Sequence, residues 1–280
     1  MGHERASIAV IGGSGLYSLL ESSSFVILDT PFGKTPRIEI GHVQDREVAF
    51  LPRHSEPGSR EVKHAIPPSF INYKANIYAL RMLGVTRILA TQAVGSINPT
   101  IAPGTFVVVD QFIDQTRMRP TTFYDGKTEI IVDGGKHVKG VVHIDVTNPY
   151  CPELRQALIA SCAKEGVKHV SKGVYICTEG PRFETPAEIE GYRRIGAEVV
   201  GMTNVPECVL SRELTMCYAS IAMSTNYAAG TGPVKITHEE VAEIFNKNIE
   251  GVRRVIATAI TLIPQERGCD CSQSLRGAVA

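Results

Sequence analysis

The feature that most constrains this chain is a series of short, almost wholly apolar runs rich in β-branched residues. They read SIAVI (7–11), FVIL (25–28), RIEI (37–40), EVAFL (47–51), RILA (87–90), FVVVD (106–110), GVYIC (173–177), EVVGM (198–202) and YASIAM (218–223). A strand that is apolar on successive residues presents apolar side chains to both faces, so it needs cover on both. The cover is written between the runs. Phe70, Tyr73, Ile77, Leu80 and Gly84 recur at spacings of three and four, and residues 152–166, 186–195 and 206–216 each open at or just after a proline, which suits a first helical turn. Thr237-His238-Glu239-Glu240 reads as a capping box that opens a helix running to Leu262. Strand and helix alternate, which predicts an α/β fold with a mixed central sheet flanked by helices. A chain of 280 residues can bury one large core, so residues 1–264 are expected to form a single domain and 265–280 a Cys-containing C-terminal tail.

Charge narrows the partners. Lys plus Arg and Asp plus Glu both number 29, so no net field draws nucleic acid or an anionic membrane, and a small molecule is the expected ligand. The N-terminus MGHERASIAV carries an acidic residue and lacks the apolar core of a secretory signal. No run reaches the roughly 18 apolar residues of a membrane span, so a cytoplasmic location is expected. None of the seven cysteines stands in a CxxC pair, so no metal is expected. Cys162 and Cys177 read as buried hydrophobes, and Cys269-Asp270-Cys271 is a CxC in the polar tail.

Several strand ends carry residues suited to an anion. IGGSG (11–15) follows the first run, where backbone N–H groups at a turn can cradle phosphate. It is not a dinucleotide fingerprint, because counting from Gly13 and Gly15 puts Ser18 where the third glycine belongs. PRHS (52–55) places a guanidinium fork and an imidazole, Arg53 and His54, at the end of run 47–51. TQAVGS (91–96) is another strand end passing into small residues. In EGPRFETPAE (179–188), Phe183 offers a flat face to a ring and Glu184 an acceptor for a ring N–H, while Glu188 suits the start of a helix. In VVGMTNVPE (199–207), Met202 can pack on a sugar and the Thr203 hydroxyl can donate to an anion. Finally, Asn226 stands alone at the mouth of the last apolar run, just before the small residues 228–230.

These stretches, with PFGK, LPRH, INYKANIYAL, DQFIDQT, MRPTTFYDG, SKG and CYASIAM, make the chain resemble the trimeric purine nucleoside phosphorylase superfamily, in particular its methylthioadenosine phosphorylase branch. The resemblance implies one α/β domain with a mixed, partly barrelled sheet, assembled as a trimer or a dimer of trimers. It implies phosphorolysis of a purine nucleoside, with inorganic phosphate as co-substrate and no cofactor. Phosphate falls to Ser14, Arg53, His54, Ala93 and Thr203, the sugar to Met202 and the base to Phe183. Gln92 stands where relatives carry Thr or Asn, and its role stays open.

Three departures from the methylthioadenosine pattern concern substrate. That branch carries Asp-Tyr-Asp at 226–228, where this chain has Asn226 and Ala228. A carboxylate there accepts from a 6-amino group, whereas an amide can donate to a 6-oxo group or to N7 as negative charge builds on the leaving base. Glu184 replaces a Ser and matches the Glu that accepts an N1 proton in 6-oxopurine enzymes, and His238 matches their ligand for the 5′-hydroxyl. The expected substrates are inosine and guanosine, which the sequence does not separate, and the alternative is methylthioadenosine. His143 resembles a residue lent to a neighbouring subunit's site, and Cys151 and Cys217 match positions bridged in thermophilic relatives.

Overall fold

A computed structural model describes residues 5–13, 16, 19–232 and 238–280, with backbone alone for 22, 133, 238–242 and 245. One sheet of eleven strands organises the domain. In chain order they are β1 (Ile8–Gly12), β2 (Glu21–Val26), β3 (Ile38–Val43), β4 (Arg46–Pro52), β5 (Arg87–Ser96), β6 (Phe106–Val108), β7 (Gln111–Asp114), β8 (His169–Val170), β9 (Val174–Cys177), β10 (Val199–Gly201) and β11 (Cys217–Tyr227). Five α-helices flank them: α1 (Tyr73–Met82), α2 (Pro152–Lys164), α3 (Pro186–Arg194), α4 (Asn204–Glu213) and α5 (His238–Leu262). Among the described residues no helix is long and apolar enough to cross a membrane.

The doubly apolar runs are explained by burial on both faces. Along β1, Ala9 and Ile11 enter one core with Leu51, Ile77 and Leu80, while Ile8 and Val10 enter another with Phe50, Val255 and Ile256. Alternate strand residues point to opposite faces, so α1 and α4 cover one side and α2 and α5 the other. Val255, Ile256 and Ile260 are fully buried, and each such side chain stabilises by about 1.5–3 kcal/mol. A helix cap contributes about 1 kcal/mol, so α5 is held by its buried face more than by its start.

Where the sheet forks decides where the site lies. One flank of β5 pairs in parallel with β1 at Arg87 to Ala90, and then antiparallel with β10 at Gly95 and Ser96. Its other flank stays paired with β11 throughout. On the forked flank, residues 91–94 have no strand partner, and a cavity opens there.

Two local expectations need correction. Phe70 does not belong to the first helix, because Pro68–Phe70 is a separate 3₁₀ turn and Phe70 is 77% exposed. Asn72 starts α1 instead, its side chain accepting from the Ala75 N–H at 3.0 Å. The FVIL run is half an edge strand, with Phe25 exposed under the Arg37 guanidinium. The proposed capping residue Thr237 lies outside the described residues.

Candidate active site

The cavity in the fork has a volume of about 770 Å³. Its walls include the end of β4 (Arg53, His54), the stretch from His64 to Pro68, the unpaired part of β5 (Thr91 to Val94), Pro181, Phe183 and Glu184 of the loop after β9, the end of β10 (Met202, Thr203) and the end of β11 (Thr225, Asn226). A β-bulge between Ser224 and Asn226 shifts the register of β11 against β5 at this point. Bulges beside active sites re-aim side chains, and this one sets Asn226 opposite Gly95. A Cβ on Gly95 would stand 3.3 Å from Asn226 Nδ2 and 3.2 Å from Val200, so the small residue makes room for the amide.

Arg53 is buried, and its fork is already taken. Nε and Nη2 donate to the two carboxylate oxygens of Glu207 at 2.7 and 3.1 Å, Nη1 donates to Thr91 O at 2.8 Å, and Nη2 also reaches Ile11 O at 3.4 Å. The sequence reading offered that fork to phosphate. A guanidinium has five N–H donors, so Arg53 brings a fixed positive charge and one remaining N–H. Burial opposes that charge, and Glu207 more than offsets it. Behind the pair, Tyr218 donates to Glu207 at 3.0 Å, Gln92 Nε2 donates to Tyr218 at 3.4 Å, and the Ser220 hydroxyl donates to Gln92 Oε1. Gln92 thus completes a buried polar network, which gives it a role the sequence left open.

His54 differs from expectation in its proton. Its Nδ1 lies 2.9 Å from Ile66 O, and a carbonyl only accepts, so Nδ1 carries the hydrogen and Nε2 is an acceptor. Burial, then His64 and Arg53, pushes the ring's pKa down to about 3. His54 is therefore neutral near pH 7, not a second cationic donor. The His64 ring stacks on it with centroids 4.0 Å apart. Thr203 is buried, and its hydroxyl bonds to no described residue, which leaves it for a ligand. Ala93 is exposed to the cavity.

At the other end, Asn226 is half-buried. Thr225 Oγ1 donates to its Oδ1 at 2.9 Å, and Nδ2 donates to Tyr227 O at 2.8 Å. The Tyr227 carbonyl fixes which end is nitrogen, and one of the two amide hydrogens stays unspent. Glu184 accepts from Thr178 Oγ1 at 2.8 Å, and burial raises its pKa. Phe183 and Met202 line the same space, with Met202 packed where a Cβ on Gly180 would meet its sulfur at 2.5 Å. As expected, Thr185 and Glu188 form a capping box that starts α3.

Arg119 joins these walls. Its guanidinium donates to Glu179 Oε1 (3.0 Å), Tyr73 Oη (3.1 Å), and the carbonyls of Met202 (2.6 Å), Val205 (2.9 Å), Thr178 (3.2 Å) and Glu179 (2.8 Å). It ties the loop after β9 to the loop after β10. Sequence reading missed Arg119 and Glu207, which stand inside MRPTTFYDG and VVGMTNVPE, and His64, which no quoted motif contains. The Asn226, Glu184, Phe183, Met202, Thr203, Ala93, Arg53 and His54 positions meet in one cavity. Ser14 and the side chain of His238 lie outside the described residues. His143 is exposed and does not line its own chain's cavity.

The cysteines depart from expectation too. All seven are free, so the bridge between Cys151 and Cys217 is not formed. Four of them converge away from the cavity.

A family model described as the phosphorylase superfamily matches residues 7–261. The chain belongs to that superfamily. This phosphorylase is 51% identical over 272 residues to the 6-oxopurine nucleoside phosphorylase of Pyrococcus furiosus, covering 97% of this chain and 98% of the relative. It is 48% identical over 274 residues to a probable S-methyl-5′-thioinosine phosphorylase of Methanothermobacter thermautotrophicus, covering 97% and 89%. A crystal structure of a methylthioadenosine phosphorylase sourced from an antarctic soil metagenomic library superposes with a TM-score of 0.87 at 35% identity, covering 99% of this chain and 93% of that one. The likeness expected from the motifs and the mixed α/β fold both hold.

Proposed function

We propose that this phosphorylase cleaves 6-oxopurine nucleosides, inosine and guanosine, with inorganic phosphate, giving the free base and ribose 1-phosphate. One observation carries the reading: the cavity pairs an amide with an unspent N–H, Asn226, with a carboxylate, Glu184, that accepts from the Thr178 hydroxyl. A 6-oxopurine presents the complement, an acceptor at O6 and N7 and a donor at N1–H. A 6-aminopurine presents N1 as an acceptor, which would oppose Glu184 and leave buried groups unmatched.

The chemistry follows from the two ends of the cavity. Phosphate lies against the Arg53 charge, the Thr203 hydroxyl, the backbone at Ala93, and Ser14. His54 Nε2 accepts the hydrogen of monohydrogen phosphate, which leaves the other oxygens to face the anomeric carbon. A phosphate oxygen forms the new C–O bond as the C–N bond breaks, and the electron pair of that bond goes to the purine. Asn226 donates to N7 or O6 as this charge develops, an interaction stronger in the transition state than before it. The proton phosphate gives up balances the one the purine gains, so no cofactor enters.

The 5′ end of the sugar falls to His238, and to His143 lent by a neighbour in a homo-oligomer, a trimer or a dimer of trimers. The exposure of His143 away from its own cavity supports this loan. Such an enzyme works in the cytoplasm. The second reading is methylthioadenosine phosphorylase, favoured by the name of the superposed crystal structure and opposed by Asn226. Base release from inosine, guanosine, adenosine and methylthioadenosine, with and without phosphate, separates the two. Inosine or guanosine cleavage far above the others, and only with phosphate, is the expected result. Dominant methylthioadenosine cleavage would overturn the proposal.

A further inference from the structure

Outside the cavity, the Sγ atoms of Cys151, Cys217, Cys269 and Cys271 all lie within 4.8 Å of one another. Those of Cys217 and Cys151 stand 3.4 and 3.6 Å from that of Cys269. We propose that these four cysteines form a structural site for one soft divalent cation of the zinc class, which clamps the C-terminal tail to the domain.

The spacing supports a metal as it stands. Tetrahedral zinc with Zn–S bonds of about 2.3 Å sets its sulfurs about 3.8 Å apart, close to the 3.4 and 3.6 Å of the two pairs at Cys269 and compatible with a cluster whose sulfurs all lie within 4.8 Å. A disulfide needs sulfurs at about 2.0 Å, a displacement of more than 1 Å for Cys269 with either Cys217 or Cys151. Four thiolates select zinc-like ions over the hard cations that prefer oxygen.

The frame around the sulfurs is already built. Cys151 is fixed by its N–H to Tyr218 O at 2.8 Å, and Cys217 by its N–H to Thr86 O at 2.9 Å. The tail is held beside them where Gly268 N–H meets Glu153 Oε1 at 2.7 Å and Arg267 Nη1 meets Thr215 O at 3.1 Å. Cys151, Cys217 and Cys271 are buried. Binding releases four thiol protons and involves no redox step, leaving a net charge of minus two on the centre. A cation stands close by. Arg87, the register partner of Cys217 on β5, is buried, and its Nε has no described hydrogen-bond partner. The absence of CxxC pairs hid this cluster, because its ligands come from the residue before α2, the first residue of β11 and the tail.

The test uses the full-length protein, reduced, freed of metal and titrated with Co²⁺. One equivalent should bind with the intense visible bands of a tetrahedral tetrathiolate, and Zn²⁺ should displace it. Loss of even an outer partner lowers metal affinity roughly 10–100-fold, so the paired change Cys269→Ser and Cys271→Ser should lower it further and abolish the bands. Cys162→Ser should leave them unchanged. The wild-type titration decides the matter even if the paired variant fails to fold. Absence of the bands in the reduced wild type would overturn the proposal. So would a native mass spectrum of the purified protein showing two disulfides and no metal.

Discussion

Glu207 grips the fork of Arg53 through hydrogen bonds of 2.7 and 3.1 Å, across 154 residues of chain. Both side chains are buried, with 3% and 2% of their surface exposed. The pair therefore acts as a mount: it spends the guanidinium's geometry on position and leaves its charge and one N–H unspent.

Removing the mount should cost both stability and phosphate. Breaking a buried ion pair from one side costs about 3–5 kcal/mol, because the other charge stays buried alone. Glu207→Gln keeps the volume, so it should lower the denaturant midpoint and raise KM for phosphate about tenfold or more, with KM for inosine moving less. Unchanged phosphate KM would show that Arg53 does not serve the anion.

Asn226→Asp turns the amide donor proposed for the purine into an acceptor. Opposing it to O6 should lower kcat/KM for inosine about 10- to 100-fold, the effect of one buried mismatch of about 1–3 kcal/mol. Adenosine cleavage should rise. A variant that keeps wild-type inosine activity and gains nothing on adenosine removes Asn226 from the base site.

Arg119→Lys tests whether one buried side chain aligns two loops. A lysine offers three donors against the five of arginine, so some of the carbonyls of Thr178, Glu179, Met202 and Val205 lose their partner. We expect KM for the nucleoside to rise and kcat to fall roughly tenfold, since small misplacements of binding groups are costly. KM for phosphate should change less. A fall in apparent kcat with both KM values unchanged would point to loss of folded enzyme instead.

His54 should make the fold sensitive to acid. Its native pKa is held down at about 3, below the ordinary 6.5, so below pH 6.5 the unfolded chain binds a proton that the native ring refuses. Its contribution to stability is thus full above about pH 6.5 and declines as pH falls toward 3, by up to about 1.4 kcal/mol per pH unit. Urea unfolding of wild type and His54→Gln between about pH 7 and pH 4 checks this. The variant should show the shallower slope, and identical slopes would contradict the buried neutral ring.

The apolar runs and the helical spacings between them determined the class of fold, because burial on both faces of a strand leaves a local mark at every successive residue. Runs such as SIAVI and RILA therefore announced a covered sheet. The residue types at strand ends announced an anion and a ring, and Asn226, Glu184, Phe183 and Thr203 do meet in one cavity. What these groups do there was decided by partners far away in the chain. No local pattern states that Glu207 occupies the fork of Arg53, that Ile66 O sets the tautomer of His54, or that Arg119 binds two loops together. The same holds for Cys151 and Cys269, 118 residues apart with their sulfurs 3.6 Å from one another. Hydrogen bonds and charges act across space, so composition and spacing determined what this chain could bury, and only the tertiary structure decided which donors and thiols were left to act.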